Sequence, residues 1–241
     1  MKNTNCIFIG ILFIATIFTS CGLDIFNGVV GNSNVVRTER TTKATFSGIK
    51  VSTGIDLFIH QGSTNAITVE ADENLHELII TEVKEGILQI YTDKNIWKAT
   101  ARKVYVTIEN LTLLKASSGS NVKSESVINT NEIYIDASSG ANIDIEVVAK
   151  SAVTEASSGA DVKIKGTSIN HTARASSGSS INAYKLKSTN ANASASSGAS
   201  IHIYASKNMD AKASSGGAID YTGNPTSINK EASSGGSISI N

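Results

Sequence analysis

Proline, charge and aromatic rings are scarce in this sequence. The chain of 241 residues has one proline, charged residues make up 17% of it and aromatic residues 5%. Glycine, serine, alanine, asparagine, isoleucine and valine fill the remainder, a composition typical of an all-β chain with many turns and few long helices. The formal net charge is zero and no basic run is present, so we expect no nucleic-acid partner.

Cysteine is equally rare, and both copies lie near the N-terminus. Lys2 precedes an almost wholly apolar run over residues 6–18, which is shorter than the ~20 residues of a membrane-spanning helix. Such a run predicts a signal peptide over residues 1–20. The following Thr19-Ser20-Cys21-Gly22 resembles a lipobox, in which Cys21 becomes the lipidated first residue of the mature chain. A plain signal peptide with a chance cysteine is the alternative.

Removal of Cys6 with the signal peptide would leave Cys21 as the sole thiol, which excludes an intramolecular disulfide. A lipid on Cys21 makes the membrane a partner and places the protein at the outer membrane, on its cell-surface or its periplasmic face. Gly22 rather than aspartate follows the cysteine, so retention in the inner membrane is not signalled. Residues 21–41 are rich in glycine, asparagine and serine, and we predict a flexible tether there.

The sequence from residue 116 onward is a repeat. Ala-Ser-Ser-Gly occurs seven times at spacings of 18 to 21 residues, which predicts a solenoid with rungs of about 19 residues. Apolar residues stand three and, in most rungs, five positions after each glycine, and polar residues stand between them. This period of two predicts short strands that bury one face. The predicted fold is therefore all-β, a parallel β-helix or β-solenoid, with the repeats over residues 116–241.

Ser-Ser-Gly is the predicted corner of each rung. Glycine adopts positive φ without strain, and serine hydroxyls can satisfy backbone groups at a bend. The last strand ends at Asn241 without an obvious cap. Because an open strand edge is a template for pairing, we expect this edge to be covered, either by a second copy in a homo-oligomer or by a folded-back segment.

Residues 42–115 contain more leucine and aromatic residues, and we expect them to close the N-terminal end of the solenoid. Strand-like runs alternate there with turns, including a hairpin at Glu85-Gly86. Asp72 is the predicted cap of one helical turn over residues 74–79, whose apolar residues share a face. Residues 42–241 are thus predicted to form one domain.

Five segments carry a family resemblance: Phe46–Ile49, Gly54–Gly62, Ile67–Asp72, Gly86–Ile90 and Tyr221–Pro225. They resemble the putative auto-transporter adhesin, head-GIN-domain family of Bacteroidetes lipoproteins, over roughly residues 42–241. Gly54-Ile55-Asp56 stands at the namesake motif, with Asp56 where the name implies asparagine. The resemblance implies a parallel β-helix with an adhesin-like role in the cell envelope.

No constellation of residues predicts catalysis. The outward carboxylates Asp144, Asp161 and Asp220 are interrupted by Lys163 and Asn182, so we do not expect a pair of catalytic acids. The seven-fold repeated serines are interpreted as corners. The histidines share no rung position or metal-ligand spacing and are interpreted as surface residues; they are His60, His76, His171 and His202. We therefore predict no enzymatic activity, no cofactor and no metal.

Three classes of function stay open. The first is a surface-tethered binding or adhesion module for a glycan or protein ligand, the second a structural envelope lipoprotein, and the third, less favoured, a carbohydrate-active enzyme. Tyr184 and Tyr204 stand six residues after their corner glycines on successive rungs and are the candidate ligand contacts, as a stacked pair. An ordinary cross-rung pair is the alternative interpretation.

Overall fold

Strands form nearly all of the regular structure in residues 28–42 and 44–241, which the computed structural model describes. The only helical element among these residues is one 3-10 turn, and no helix in this part of the chain is long and apolar enough to cross a membrane. In chain order the strands are β1 Val29–Val30, β2 Val35–Arg40, β3 Gly48–Val51, β4 Asp56–Gln61, β5 Ala66–Asp72, β6 Ile79–Lys84, β7 Ile87–Thr92, β8 Ile96–Lys98, β9 Arg102–Ile108, β10 Leu113–Ala116, β11 Asn121–Ser124, β12 Ile128–Ala137, β13 Asn142–Ala156, β14 Asp161–Ala175, β15 Ser180–Ala183, β16 Leu186–Ala195, β17 Ser200–Tyr204, β18 Asn208–Ala213, β19 Ala218–Thr222, β20 Ser227–Ala232 and β21 Ser237–Ile240.

Parallel pairing between successive rungs builds the stack, and the predicted β-solenoid is confirmed. In β13, residues 142–144 pair with β11, residues 147–149 and 151–156 pair with β12, and the chain then turns at a corner. The stack therefore has a front side and a back side, and the long strands β13 and β14 contribute to both. The front side also contains β4, β11, β15, β17, β19 and β21, and the back side β3, β10, β12, β16, β18 and β20.

Antiparallel strands close the N-terminal end of the stack. On the front side, β9 pairs with β4 in parallel and with β5 antiparallel, and β2 adds to β5. On the back side, β7 pairs with β3 in parallel and with β6 in a hairpin that turns at Glu85 and Gly86. The strands β7 and β9 thus lie below β3 and β4, although they follow them in the sequence.

The flexible tether predicted over residues 21–41 is wrong for residues 35–40. These residues form β2, which pairs with β5 from Val35–Asp72 to Arg40–Ile67. Their backbone groups are hydrogen-bonded to β5, so the glycine and asparagine content of residues 21–41 does not describe this segment. The predicted signal peptide, Cys21 and the other residues up to 27 lie outside the described residues.

Asp72 does not cap the helical turn as predicted. No hydrogen bond joins the Asp72 side chain to the turn. The turn spans Glu73–Leu75 and is therefore also shorter than the predicted 74–79. The buried carboxylate instead accepts hydrogen bonds at 2.9–3.0 Å from three backbone N–H groups, those of Ser33, Thr100 and Ala101. Burial favours the protonated form, but the three donors outweigh it and hold the pKa of Asp72 below its usual value.

Each corner is a tight turn with two consecutive left-handed residues. Ser139 and Gly140 have φ values of 51° and 72°, and the N–H of Ala141 donates to the carbonyl of Ser138 at 3.1 Å. Positive φ at both central residues is the pattern of a type I′ turn. The N–H of Gly140 also donates to the carbonyl of Ser158 on the next rung at 3.1 Å. The backbone ladder therefore continues through the corners.

An eighth corner, Ser52-Thr53-Gly54, begins the stack and was not recognised from the sequence. Thr53 and Gly54 have φ values of 62° and 69°, and the N–H of Gly54 donates to the carbonyl of Ser118 at 3.0 Å. The strands β5 to β9, which belong to the cap at the N-terminal end, are inserted between this corner and the next. This insertion breaks the period of about 19 residues. The sequence pattern therefore does not reveal this segment as a repeat.

Small residues stand directly after the glycine of every Ala-Ser-Ser-Gly corner: serine, alanine or glycine. The eighth corner differs, since the buried Ile55 follows Gly54. At Gly217 the backbone leaves no room for a side chain, because a Cβ atom would lie 2.5 Å from the carbonyl oxygen of Ala195. Where it holds serine, the buried hydroxyl satisfies the bend: Ser120 donates to the Ser117 carbonyl and Ser179 to the Ser176 carbonyl, both at 2.8 Å. The hydroxyls that support the corner thus belong to the residue after Ala-Ser-Ser-Gly, not to the two serines of that motif.

Replacement of a corner glycine is expected to destabilise the fold through its backbone conformation alone. Gly159 has φ of 71°, and a methyl group added to its Cα would meet open space, so Gly159→Ala should lower the free energy of unfolding by about 1 kcal/mol. Ser157→Ala, on the same corner without positive φ, is the control and should change it by less than about 0.5 kcal/mol. Chemical denaturation measures both, and equal effects would contradict the left-handed corner.

The interior is a thin core of stacked identical positions. The residues three and five positions after the glycines face inward, as predicted. Alanines fill many inward positions of the back-side strands. His171 is the exception, and its interpretation as a surface residue is wrong. It is 1% exposed and aligns with Ala152 on one rung and Ala191 on the next. Counting back by twos from Ala175 places it inward.

Burial makes His171 a source of pH-dependent stability. Desolvation lowers its pKa from 6.5 to about 4, because the imidazole has no charged partner in the core. Thr154 Oγ1 lies 3.2 Å from Nε2, and no partner is found for Nδ1. The neutral ring is therefore favoured in the folded state, and protonation favours unfolding.

The stability that depends on neutral His171 is complete above pH 6.5 and is lost as the pH falls toward 4, where the unfolded chain binds the extra proton. Between pH 7 and pH 4 this single group should cost about 3 kcal/mol of unfolding free energy. We expect His171→Leu to show a correspondingly smaller loss over that range in denaturant titrations. His60→Gln, at an exposed position, is the control; the same pH profile for all three proteins would refute the assignment.

The C-terminal end of the stack is open. β20 and β21 each pair with only one strand, and Ile240 is 63% exposed. The two last strands differ in one respect. Lys230 of β20 occupies an inward column, above Ala211, and its ammonium lies 4.5 Å from the centroid of the Tyr221 ring. An inward charge hinders the addition of a further strand, and β21 carries no charged residue.

Candidate ligand-binding groove

A groove on the front side crosses the strands instead of following them. It has a volume of about 500 Å³ and spans β4, β11, β13 and β14. One wall is formed by residues two positions after the corner glycines and the other by residues four positions after them. The first wall is Asp56, Asn121, Asn142 and Asp161, and the second is Phe58, Lys123, Asp144 and Lys163. Successive residues of a wall lie one rung apart, at about 4.8 Å.

The first wall is a hydrogen-bonded ladder of side chains. Asn121 Nδ2 donates to Asp56 Oδ1 at 2.8 Å, and Asn142 Nδ2 donates to Asn121 Oδ1 at 3.1 Å. The namesake segment of the family resemblance starts this ladder: Gly54 is the corner, Ile55 is buried, and Asp56 is the first outward rung position. An aspartate here can only accept from Asn121, which fixes the direction of the ladder.

Two stacked rings close one end of the groove. Phe58 and Tyr105 lie with centroids 5.0 Å apart and planes 17° from parallel, and the Arg37 guanidinium carbon lies 4.5 Å from the Tyr105 centroid. Arg37 and Lys103 also bind Glu70, at 2.9 and 3.0 Å. The hydrogen bond from Lys103, with the charge of Arg37, holds the pKa of Glu70 below its usual value although burial opposes it. The Phe58 platform is thus fixed by its neighbours.

The charged residues of the second wall are unpaired. Lys123, Asp144 and Lys163 follow one another in register on three rungs, yet none forms an ion pair within 4.0 Å in the described part of the chain. Elsewhere, opposite charges on neighbouring rungs do pair, as in Lys115–Asp136, Glu146–Lys165, Glu155–Arg174 and Lys212–Glu231, at 2.9–3.5 Å. The three groove side chains are exposed, so their hydrogen-bonding atoms are accessible to a ligand.

The back side has its own polar ladder, which includes the ion pair of Glu155 with Arg174. The Tyr134 hydroxyl and Arg174 both donate to Glu155, at 2.5 and 2.9 Å. Burial and the bond to Glu155 raise the pKa of Tyr134 to about 12, so the hydroxyl stays protonated. Amides on three rungs are linked as well, Asn170, Asn190 and Asn208. An amide ladder is therefore a general device of this solenoid. The front groove differs in having three aligned charges of alternating sign, Lys123, Asp144 and Lys163, that do not pair.

Tyr184 and Tyr204 do not form the stacked pair that was predicted. Tyr184 turns out of β15 and packs against His202, with centroids 5.0 Å apart and planes tilted by 47°. Tyr204 continues β17 and lies under Lys187, whose Nζ is 4.0 Å from the ring centroid. The two rungs differ because the chain turns at residues 184–185 before β16. Neither ring lines the front groove, and ligand contact by these tyrosines stays a prediction.

The polar cluster around His202 lacks the order of a catalytic triad. The Tyr184 hydroxyl and Asp220 Oδ2 lie 3.2 and 3.3 Å from the same ring nitrogen, Nδ1. Ser239 donates to Asp220 rather than to the histidine. A triad requires the serine on one nitrogen and the carboxylate on the other. Among residues 28–42 and 44–241, no three His, Cys, Asp or Glu side chains are grouped to hold a metal ion.

Asp144, Asp161 and Lys163 were noted in the sequence, but only as an interrupted carboxylate column. The structure brings them into one groove, with Asp161 on the first wall and the other two on the second, while Asp220 lies apart beside His202. Phe58 was missed as a groove residue. Its signal was present in the sequence, since Phe58 stands four residues after Gly54 once that glycine is recognised as a corner.

The geometry thus defines a class of protein, a parallel β-solenoid with an open polar groove on one side and a capped N-terminal end. Residues 45–225 match the family described as "Putative auto-transporter adhesin, head GIN domain", and the chain belongs to this family, as the resemblance implied. No match was found among curated proteins.

Solved structures with the same fold come from Bacteroides fragilis and Parabacteroides distasonis, among others. A putative adhesin from Bacteroides fragilis has a TM-score of 0.82 at 20% identity, over 89% of this chain and 100% of its own. A putative adhesin from Parabacteroides distasonis has a TM-score of 0.73 at 19% identity, with the same coverage. A putative lipid binding protein from the same species has 0.72 at 20% identity, again over 89% and 100%. At these identities the likeness concerns the fold.

Proposed function

We propose that this protein is a lipid-anchored binding module of the cell envelope, which holds an extended ligand in the front groove and has no catalytic role. The observation that carries the proposal is the row of unpaired charges Lys123, Asp144 and Lys163 in that groove. Matching side chains pair on other rungs, so the register alone does not prevent pairing. A structural lipoprotein without a ligand has no need of such a row.

Anchoring through Cys21 agrees with the position of the cap. The antiparallel cap contains β2, which is close in sequence to the predicted lipid-attachment site, and this supports an orientation in which the cap faces the membrane. The stack then extends away from the membrane, and the groove runs along its length. Family membership supports exposure at the cell surface, since the family is described as an adhesin.

Protease treatment of intact cells tests the location. We expect the protein to disappear from whole cells on blotting, while a periplasmic marker survives, and we expect Cys21→Ser to release the protein from the membrane fraction. Cells that produce the protein should also adhere to host matrix or glycan-coated surfaces better than cells that lack it. Protection of the protein until the outer membrane is broken would contradict an adhesive role.

We also propose that a second copy covers the open C-terminal edge, with β21 as the pairing strand. This strand offers unpaired backbone groups and the exposed Ile240, whereas Lys230 obstructs the neighbouring β20. Ile240→Lys places a charge on the edge and should shift the protein from dimer to monomer in analytical ultracentrifugation. Thr222→Lys, on the preceding rung of the same side, is the matched control. A wild-type protein that is monomeric at high concentration would refute the association.

A further inference from the structure

We infer that the front groove binds a neutral, linear polysaccharide that lies along the solenoid axis, with hydroxyl groups bonded alternately to the lysines and aspartates of its walls. The inference rests on the proposed function, because it names the ligand of the same groove. Its first support is the charge pattern. Lys123, Asp144 and Lys163 alternate in sign on successive rungs, and Asp56 and Asp161 add negative charge on the facing wall.

These mixed charges do not favour a polyanion or a polycation. The rungs of Asp56 and Asp144 repel the first, the rung of Lys123 repels the second, and the charges of the fourth rung, Asp161 and Lys163, cancel. A hydroxyl group suits both kinds of rung. It can accept from a lysine ammonium and donate to a carboxylate, and the amides of Asn121 and Asn142 can do either. Charge-assisted hydrogen bonds of this kind are stronger than bonds between neutral groups. A chain with many hydroxyls therefore matches both walls.

An extended peptide is the main competing ligand, and the backbone pairing argues against it. Peptides that bind sheets as an added strand need a free strand edge. The groove is floored by strands that are paired on both edges: β4 by β9 and β11, and β11 by β4 and β13. No backbone donors or acceptors are offered there, so recognition must come from side chains.

The ring at the end of the groove completes the match. Phe58 is held face to face with Tyr105, which leaves its other face toward the rung of Lys123. The faces of sugar rings carry C–H groups, which pack on aromatic rings, and a rigid ring loses little entropy in doing so. Phe58 also lines the groove, so it offers an apolar surface to a terminal sugar while the following sugars lie between the two walls.

The test uses the purified full chain and a panel of neutral linear hexasaccharides of glucose, xylose, mannose and N-acetylglucosamine, with polygalacturonate as the anionic comparison. We expect calorimetry to show binding of at least one neutral hexasaccharide with weak dependence on salt. The variant with Lys123→Gln, Asp144→Asn and Lys163→Gln should bind it at least about tenfold more weakly. The control with Lys115→Gln, Asp136→Asn and Lys212→Gln removes the same charges from the back side and should bind within about twofold of the wild type.

Binding of polygalacturonate alone, with an affinity that falls steeply with salt, would overturn the inference, as would binding of none of the hexasaccharides. Equal weakening by both triple variants would show that the groove is not the site and would also overturn it. The proposed function fails separately. A protein that binds a hexasaccharide through the groove but is protected from protease on intact cells keeps its ligand and loses its adhesive role.

Discussion

The structure depends on the continuity of parallel backbone hydrogen bonds from rung to rung, through the corners as well as the strands. Two left-handed residues at each corner make this possible, because they reverse the chain within four residues and still leave the glycine N–H free to bond to the next rung, as Gly140 does to Ser158. A corner longer or shorter by one residue would shift the register of the following strand by one residue. Such a shift would turn the apolar residues outward.

Exact register turns every position of the rung into a column, and the columns account for the rest of the molecule. Inward columns stack isoleucine and alanine into an apolar core, and burial in that core favours the neutral imidazole of His171. Outward columns place equivalent positions of successive rungs side by side. Neighbouring amides therefore form hydrogen-bonded ladders, and neighbouring opposite charges form ion pairs. In the front groove the first wall forms such a ladder, whereas the aligned charges of the second wall, Lys123, Asp144 and Lys163, do not pair.

A solenoid of this kind suits a binding role in which the ligand is itself a repeating chain. The walls of the groove present one side chain per rung at a fixed spacing, and no loop or moving part is needed to assemble them. The two ends of the stack have structures that differ from each other and from the sides. The antiparallel cap, with the Asp72 carboxylate bound by three backbone donors, closes the N-terminal end of the stack, and the C-terminal end is left as an open edge next to Lys230.

The sequence by itself determined the solenoid, its rung length and its inward columns, because the period of about 19 residues and the period of two within each strand are local properties of the chain. It could not reveal the eighth corner, since the inserted cap separates Gly54 from Gly119, nor the strand at residues 35–40, whose pairing partner lies some thirty residues further on. The groove was decided only by the tertiary structure. Phe58, Lys123 and Asp144 come from different rungs, and only the stacking of those rungs sets which side chains meet and which charges stay free of one another.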